Sequence, residues 1–318
     1  MNCPNCNSLS KKNGKDRNGN QRFKCLACGK RFAEPKEKNL GNMILAEEKA
    51  LMCLNLLVEG NSIRSTERIT GVHRDTVLTL LEIVGKKCMA IEEKYIRDVK
   101  VDDVQIDEIW GFIEMKEKTK KKKAVDSEQV GHAYTFTAIE SNSKLIVAWH
   151  LGRRTSADAI IFLEKLNDRV SEDTVFQMSS DAYPAYADAV ASTLGNRTDY
   201  GQVIKIYGNP NPDEVRYSAG NVTSIIKKII IGNPLAENIS TSYVERQNLT
   251  MRMSMRRLTR LTNAFSKKWD NLNYALALHF AYYNFCRIHS TIKCTPAMEA
   301  GITKTVWSLK DLLKFNGE

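Results

Sequence analysis

The tightest constraint in the chain lies at its start: Cys3-Pro-Asn-Cys6, eighteen residues, then Cys25-Leu-Ala-Cys28. Each pair is spaced so that one tight turn presents two thiolates to a single ion, and two such turns close a tetrahedral zinc site. Around them stand Lys11, Lys12, Lys15, Arg17, Arg22, Lys24, Lys30 and Arg31, with Phe23 and Phe32 as a miniature core. So small a unit, with so few large apolar groups, needs the metal to fold. A zinc ribbon over 1–36 with one structural Zn2+ on Cys3, Cys6, Cys25 and Cys28 is expected; a redox pair is the alternative. Cys53, Cys88, Cys286 and Cys294 lack partners at ligand spacing and read as packing residues.

The 318 residues carry a net charge of +10, and it is clustered: 1–40 hold ten Lys/Arg against three Asp/Glu, and 243–268 hold seven against one. Two basic blocks without an amphipathic anchor point to nucleic acid as the partner, not a membrane; two solvated faces are the bland reading. No apolar run approaches the roughly 18 residues that cross a bilayer, and the start MNCPNCNS has no signal-peptide pattern. A cytoplasmic protein is expected.

After a polar linker, 34–42, comes MILAEEKALMCLNLLVEG, with helical spacing of Ile44, Leu45, Leu51, Leu54 and Leu57 up to Gly60. A short helix capped by Asn61 or Ser62 follows, then a turn at Thr70-Gly71-Val72 and a second helix from near His73. Three helices with a Gly-containing turn between the last two predict a helix-turn-helix domain over 42–98, which aims His73, Arg74, Asp75 and Thr76 at bases or phosphates. A plain three-helix bundle is the rival.

From 99 to 318 the pattern is α/β. VDDVQIDEIWGFIEM, HAYTFTAIE and KLIVAWHLG read as strands, with KEKTKKKK as an exposed loop between the first two. A helix capped by Thr155 or Ser156 follows, with Ile160, Ile161, Leu163 and Leu166 on its buried side. Then come a short strand to Asp181, a helix, the strand QVIKIYG, and helices near 242–259 and 264–286, closing one mixed sheet. The stretch 208–240, with Pro210, Pro212, Gly220, Gly232 and Pro234, is the least legible part.

Three carboxylates stand out. Asp107 lies inside an apolar strand, where an unpaired charge is costly. Asp181 ends a strand where open α/β sheets present side chains to ligands, and Glu245 heads a basic helix. Taken singly, Asp107 competes with its neighbour Glu108, Asp181 with a helix cap and Glu245 with a helix-start charge. Together they form the oxygen donor set that two Mg2+ or Mn2+ ions require.

VQIDEIWG, SSDAYPAY and STSYVERQNLTMRMSMRRLTRLTNAFSKK resemble bacterial insertion-sequence transposases of the DDE class, in the insertion-sequence-one family. So do the CPxC and CxxCGKRF cysteine motifs, the helix-turn-helix, and HFAYYNFCRIHSTIKCTPAMEAG, so that the resemblance spans essentially the whole chain. It implies a ribonuclease H-like catalytic core with Asp107, Asp181 and Glu245 as catalytic, metal-holding residues. It further implies metal-dependent cleavage and strand transfer on double-stranded DNA (the element's terminal inverted repeats and a target), an oligomer of at least two copies on DNA, and a nucleoid-associated location. On a helix, Glu245 shares one stripe with Asn248, Leu249, Arg252, Arg256 and Arg260, which makes Arg252, Arg256 and Arg260 a phosphate rail.

Two other functions are weighed against this one. A domesticated, inactive DNA-binding regulator would not need the three carboxylates. A tyrosine recombinase would use a nucleophile such as Tyr243, but no ordered Arg-His-Arg set precedes it. His132 and His150 read as strand residues, His279 as core. Trp110 is either a core anchor or a base-stacking residue, and Arg287 and His289 are weak DNA-end candidates.

Overall fold

The computed structural model describes residues 1–16, 21–33, 39–208 and 222–317. Arg17, the 34–38 part of the linker, and Pro210, Pro212 and Gly220 lie outside the described residues. The chain divides into two compact units, Met1–Met43 and Ile44–Glu318.

The first unit is an antiparallel three-stranded sheet of β1 (Ser10–Lys15), β2 (Gln21–Cys25) and β3 (Arg31–Ala33). Phe23 and Phe32 pair across β2 and β3 with ring centroids 5.9 Å apart. They are the only ring pair among this unit's described residues, which leaves the cysteine turns to hold the rest.

The second unit begins with α1 (Glu47–Val58), α2 (Ile63–Thr70) and α3 (Arg74–Tyr95). Ser62 caps α2 by accepting from Ser65 N–H, and Gly71 ends it in the left-handed region at φ 72°. Ile44, expected in the first helix, lies before it and is fully exposed; Ala50, Cys53, Leu54 and Val58 form the buried stripe. α3 runs well past the turn, 22 residues in all, and crosses α8 (Trp269–Ala281) at Gly85. A Cβ on Gly85 would lie 2.6 Å from Tyr274 Cβ, so the crossing needs glycine.

The sheet of this unit has six strands: β4 (Asp103–Ile113), β5 (Gly131–Glu140), β6 (Ile146–Gly152), β7 (Phe176–Asp181), β8 (Thr198–Tyr207) and β9 (Val222–Ile231), in the order β6-β5-β4-β7-β8-β9. The β4–β5, β5–β6 and β8–β9 pairs are antiparallel, and β4–β7 and β7–β8 are parallel. β9 falls in the stretch that was least legible in sequence. The lysines of KEKTKKKK form a short exposed helix, α4 (Glu117–Lys122), not a loop: Glu117 in its first turn and three lysines in its last suit the helix dipole.

Side-chain alternation along β4 sorts the helices onto two faces. On the Glu108 face lie α5 (Ser156–Arg169) and α6 (Pro184–Thr193): Phe136, opposite Glu108, packs on Phe162 and Tyr186. α5 is capped by Thr155 as expected, but turned slightly, burying Ala159, Phe162, Leu163 and Leu166 while Ile161 is exposed. On the Asp107 face lie α3, α7 (Ser242–Ser254) and α8. Trp149, aligned with Thr137 and Asp107, donates from Nε1 to buried Glu92 of α3 at 2.7 Å and stacks on Phe280 of α8. His279 is core as read, buried with Phe280, Tyr283 and Phe285, whereas Tyr274 and Tyr282 are half-buried. α9 (Pro296–Glu299) and α10 (Leu309–Lys314) close the chain. No helix among the described residues is long and apolar enough to cross a membrane.

The helix carrying Glu245 is shorter than its pattern predicts. It stops at Ser254, and Met255 turns extended (φ −120°, ψ 100°) before a 3-10 turn at Arg256–Leu258. The break buries Met255 and Leu258, the latter against Gly111 of β4, where a Cβ would lie 3.2 Å from Leu258 Cδ2. Thr259 Oγ1 then donates to the Arg252 carbonyl at 2.9 Å, closing the helix end. The expected single stripe is thereby broken: Arg252 is on α7, while Arg256 and Arg260 lie beyond it.

Candidate metal centres

The four cysteines meet as their spacing requires. Their sulfurs lie within 4.8 Å of one another, with Cys3–Cys28 at 3.6 Å and Cys6–Cys25 at 3.5 Å. A tetrahedral ion with bonds of about 2.3 Å sets its ligands about 3.8 Å apart, so the set fits zinc. The Cys28 N–H points at Cys25 Sγ at 3.4 Å. The Ser8 N–H draws the Cys6 thiol down to about 6; at Cys28 the Lys30 N–H acts the same way but is outweighed by the other thiols, which push it up to about 11. Cys53 and Cys88 are buried outside this set.

The second centre is built where β4 and β7 run parallel. Their last paired residues are Ile106 and Ser180, and one step on stand Asp107 and Asp181. Carboxylate oxygens of Asp107, Glu108 and Asp181 all lie within 4.8 Å of one another. Burial first, then the charges of Glu108, Asp181 and Glu245, push Asp107 up to about 7, against the pull of the Glu108 N–H. That N–H reaches Asp107 Oδ1 at 2.8 Å, and Asn248 Nδ2 of α7 donates to Oδ2 at 2.7 Å. Asp181 Oδ1 accepts from the Tyr183 N–H at 3.0 Å, just before α6 begins.

The neighbouring acids differ in how they are held. Glu108 is bound by Arg154 Nε at 2.6 Å and the Tyr186 hydroxyl at 2.9 Å. Burial and the Asp181 charge raise its pKa despite the Arg154 partner. Glu245 lies in the first turn of α7 but outside the three-carboxylate cluster, its oxygen taken by Lys205 Nζ and Thr241 Oγ1. The structure therefore brings together Asp107 and Asp181 of the expected trio, adds Glu108, and leaves Glu245 beside them.

Gln105 was not singled out by sequence, yet it anchors this arrangement. It is fully buried on β4, two residues from Asp107, and its Oε1 accepts from the N–H groups of Tyr243 (2.8 Å) and Val244 (3.3 Å). Those are donors that a helix start leaves unpaired. A polar Gln at the same strand parity as Asp107 was the available signal.

Of the expected DNA contacts, Arg74, Arg256 and Arg260 are exposed and Thr76 is half-buried near the start of α3. Arg252 is half-buried and spends Nη1 on the Leu258 carbonyl at 3.3 Å. His150 is tied to Asp158 at 3.0 Å, a structural role. Trp110 is half-buried, tilted against Phe112 with the Lys116 ammonium over it, so it is not a core anchor.

No known family model and no curated protein matches this chain.

Proposed function

We propose that this protein is a DNA transposase of the DDE class, which cuts DNA ends and joins them to a target through divalent ions held by Asp107, Asp181 and Glu245. The observation that carries the reading is the meeting of Asp107 and Asp181 at the ends of two adjacent parallel strands, with Asp107 raised to about 7 by burial and like charge. Carboxylates crowded in this way relieve their repulsion by sharing hard cations. The mixed sheet with these strands at its centre supports a ribonuclease H-like core.

Bound divalent ions would supply charge stabilisation for the attacking and leaving oxygens of an in-line phosphodiester displacement. The chain's own residues do the positioning. Asn248 and the Glu108 N–H orient the two oxygens of Asp107. Gln105 fixes the start of α7, and with it the backbone of Glu245. Glu245, now held by Lys205, would have to release that partner to hold an ion with the aspartates. Arg154 and Tyr186 occupy Glu108, which makes it a support to the site and not its third ligand. The zinc ribbon and the α2–α3 turn contribute DNA contacts.

The Lys205–Glu245 pairing also favours a second reading, a regulator that binds DNA without cutting it. Incubation with duplexes copied from the DNA flanking the coding sequence, plus Mg2+, separates the two. A transposase leaves nicks with free 3′-hydroxyls at defined ends; a regulator protects the ends and leaves them intact.

A further inference from the structure

A groove of about 850 Å³ runs between α2–α3 and the segment that follows α7. Arg64, Arg68 and Arg74 line one wall and Arg256, Arg257 and Lys267 the other. Among the described residues none of these six cations forms an ion pair. The one carboxylate among the described lining residues, Asp75, lies 3.6 Å from His73.

Two sheltered groups in the same wall lack partners. Arg257 donates from Nη1 to Ser266 Oγ at 2.8 Å, but its Nη2 is hidden from solvent and bonds to nothing. The residue as a whole is half-buried, and burial draws its pKa down to about 10. His279 is 4% exposed, and its Nε2 is also unpartnered. A sheltered guanidinium without a counter-charge is unfavourable in the free protein. Its two-pronged donor geometry matches a phosphate, and five further cations converge on the same groove.

We propose that this groove binds a phosphate group of the DNA backbone, with Arg257 as its buried ligand and His279 as a second polar contact. The inference rests on the DNA-end reading above for the source of the phosphate; the anion chemistry stands on the groove itself. One backbone segment held there would touch both the α3 start and the turn that ends α7. It would thus link the helix-turn-helix to the helix that carries Glu245.

The test uses the full-length protein, as wild type and as Arg257→Gln, with Lys304→Gln, exposed and outside the groove, as control. Binding to a mixed-sequence duplex is measured against salt concentration, and the thermal midpoint is measured with inorganic phosphate against chloride at equal ionic strength. Each lost phosphate contact flattens the slope of log K against log salt by about 0.9. Arg257→Gln is expected to flatten it by about that amount, to weaken binding several-fold, and to lose the stabilisation by phosphate. Its own midpoint should be equal to or above that of wild type, which a merely structural arginine would not give. If Arg257→Gln does not fold, Arg64→Gln on the opposite wall carries the same expectation for slope and phosphate response.

An unchanged slope together with an unchanged phosphate response in the folded variant overturns the inference while leaving the transposase reading in place. Arg257-dependent stabilisation by phosphate, in a protein that binds no duplex, supports the groove as a site for free phosphate and removes the transposase reading instead.

Discussion

Asn248 donates from Nδ2 to Oδ2 of Asp107 at 2.7 Å, tying α7 to β4 where the two aspartates meet. Asn248→Ala frees that oxygen and loosens the carboxylate. Mutation of groups that orient a metal ligand lowers activity about 10–100-fold, and that loss in DNA cutting is expected here. It should come with a weaker apparent Mg2+ affinity in a metal titration. Stability should fall by about 1 kcal/mol in urea denaturation, the net worth of one hydrogen bond. A variant that cuts normally at limiting Mg2+ would remove Asn248 from the site.

The metal-free protein should lose stability as pH rises from about 4 to about 7. Asp107 is raised from 3.8 to about 7, and Glu92, buried beside Trp149, from 4.5 to about 7. In that window the folded state keeps protons that the unfolded chain has released, so folding is favoured at the acid end and the gain is gone above about 7. Asp107→Asn should flatten the fall of thermal midpoint with pH in chelator, leaving the share due to Glu92 and to the other carboxyls that burial raises, Asp103 and Glu108. Mg2+ competes with the proton on Asp107, so it should raise the wild-type midpoint more at about pH 8 than at about pH 5. Parallel profiles for wild type and Asp107→Asn would contradict this account.

Glu108 and Glu245 should separate stability from chemistry. Glu108→Gln keeps one acceptor oxygen, removes the charge that pairs with Arg154, and puts an NH2 donor where one of Arg154 and Tyr186 had its acceptor. A loss of about 1–2 kcal/mol is expected from weakened hydrogen bonding. Its residual cutting should follow the fraction folded. Glu245→Gln removes only a half-exposed pair with Lys205, and surface pairs are worth about 0–1 kcal/mol. It should keep the melting temperature and abolish cutting. Reversal of the two phenotypes would make Glu108 the third ligand.

Zinc removal should act on one unit alone. Cys25→Ser, or a strong chelator, is expected to release one zinc per chain by elemental analysis and to unfold Met1–Met43, whose described ring packing is the Phe23–Phe32 pair. The Ile44–Glu318 unit, with its own core, should keep its thermal transition. DNA affinity should drop with the loss of the basic ribbon. A protein that retains its zinc after Cys25→Ser would disprove the four-cysteine site.

What could be read from the sequence was what lies close in sequence. The two CxxC turns and the Gly71 turn are local patterns and were legible, and the caps were legible to within one residue, Ser62 against Asn61 and Thr155 against Ser156. Asp107 and Asp181 were legible as charges out of place in apolar strand settings, and the parallel β4–β7 register joins them. The end of α7 was not legible: the helical spacing of Arg252, Arg256 and Arg260 continues, but burial of Met255 and Leu258 against β4 overrides it. Nor was the role of Gln105, because its partners are backbone N–H groups 138 and 139 residues away. The groove around Arg257 was hidden for the same reason: its walls come from helices far apart in the chain.

The most direct test of metal ligation is cysteine exchange at the two aspartates. Asp107→Cys and Asp181→Cys replace a hard oxygen donor with a soft sulfur, which suits Mn2+ better than Mg2+. DNA cleavage is then compared in each metal on duplexes carrying the protein's own flanking sequences. Wild type is expected to cut in both metals, and each variant to be inactive in Mg2+ and partly restored in Mn2+. Wild-type protein that cuts in neither metal, or variants that cut in Mg2+ as well as wild type, would contradict metal ligation by the two aspartates.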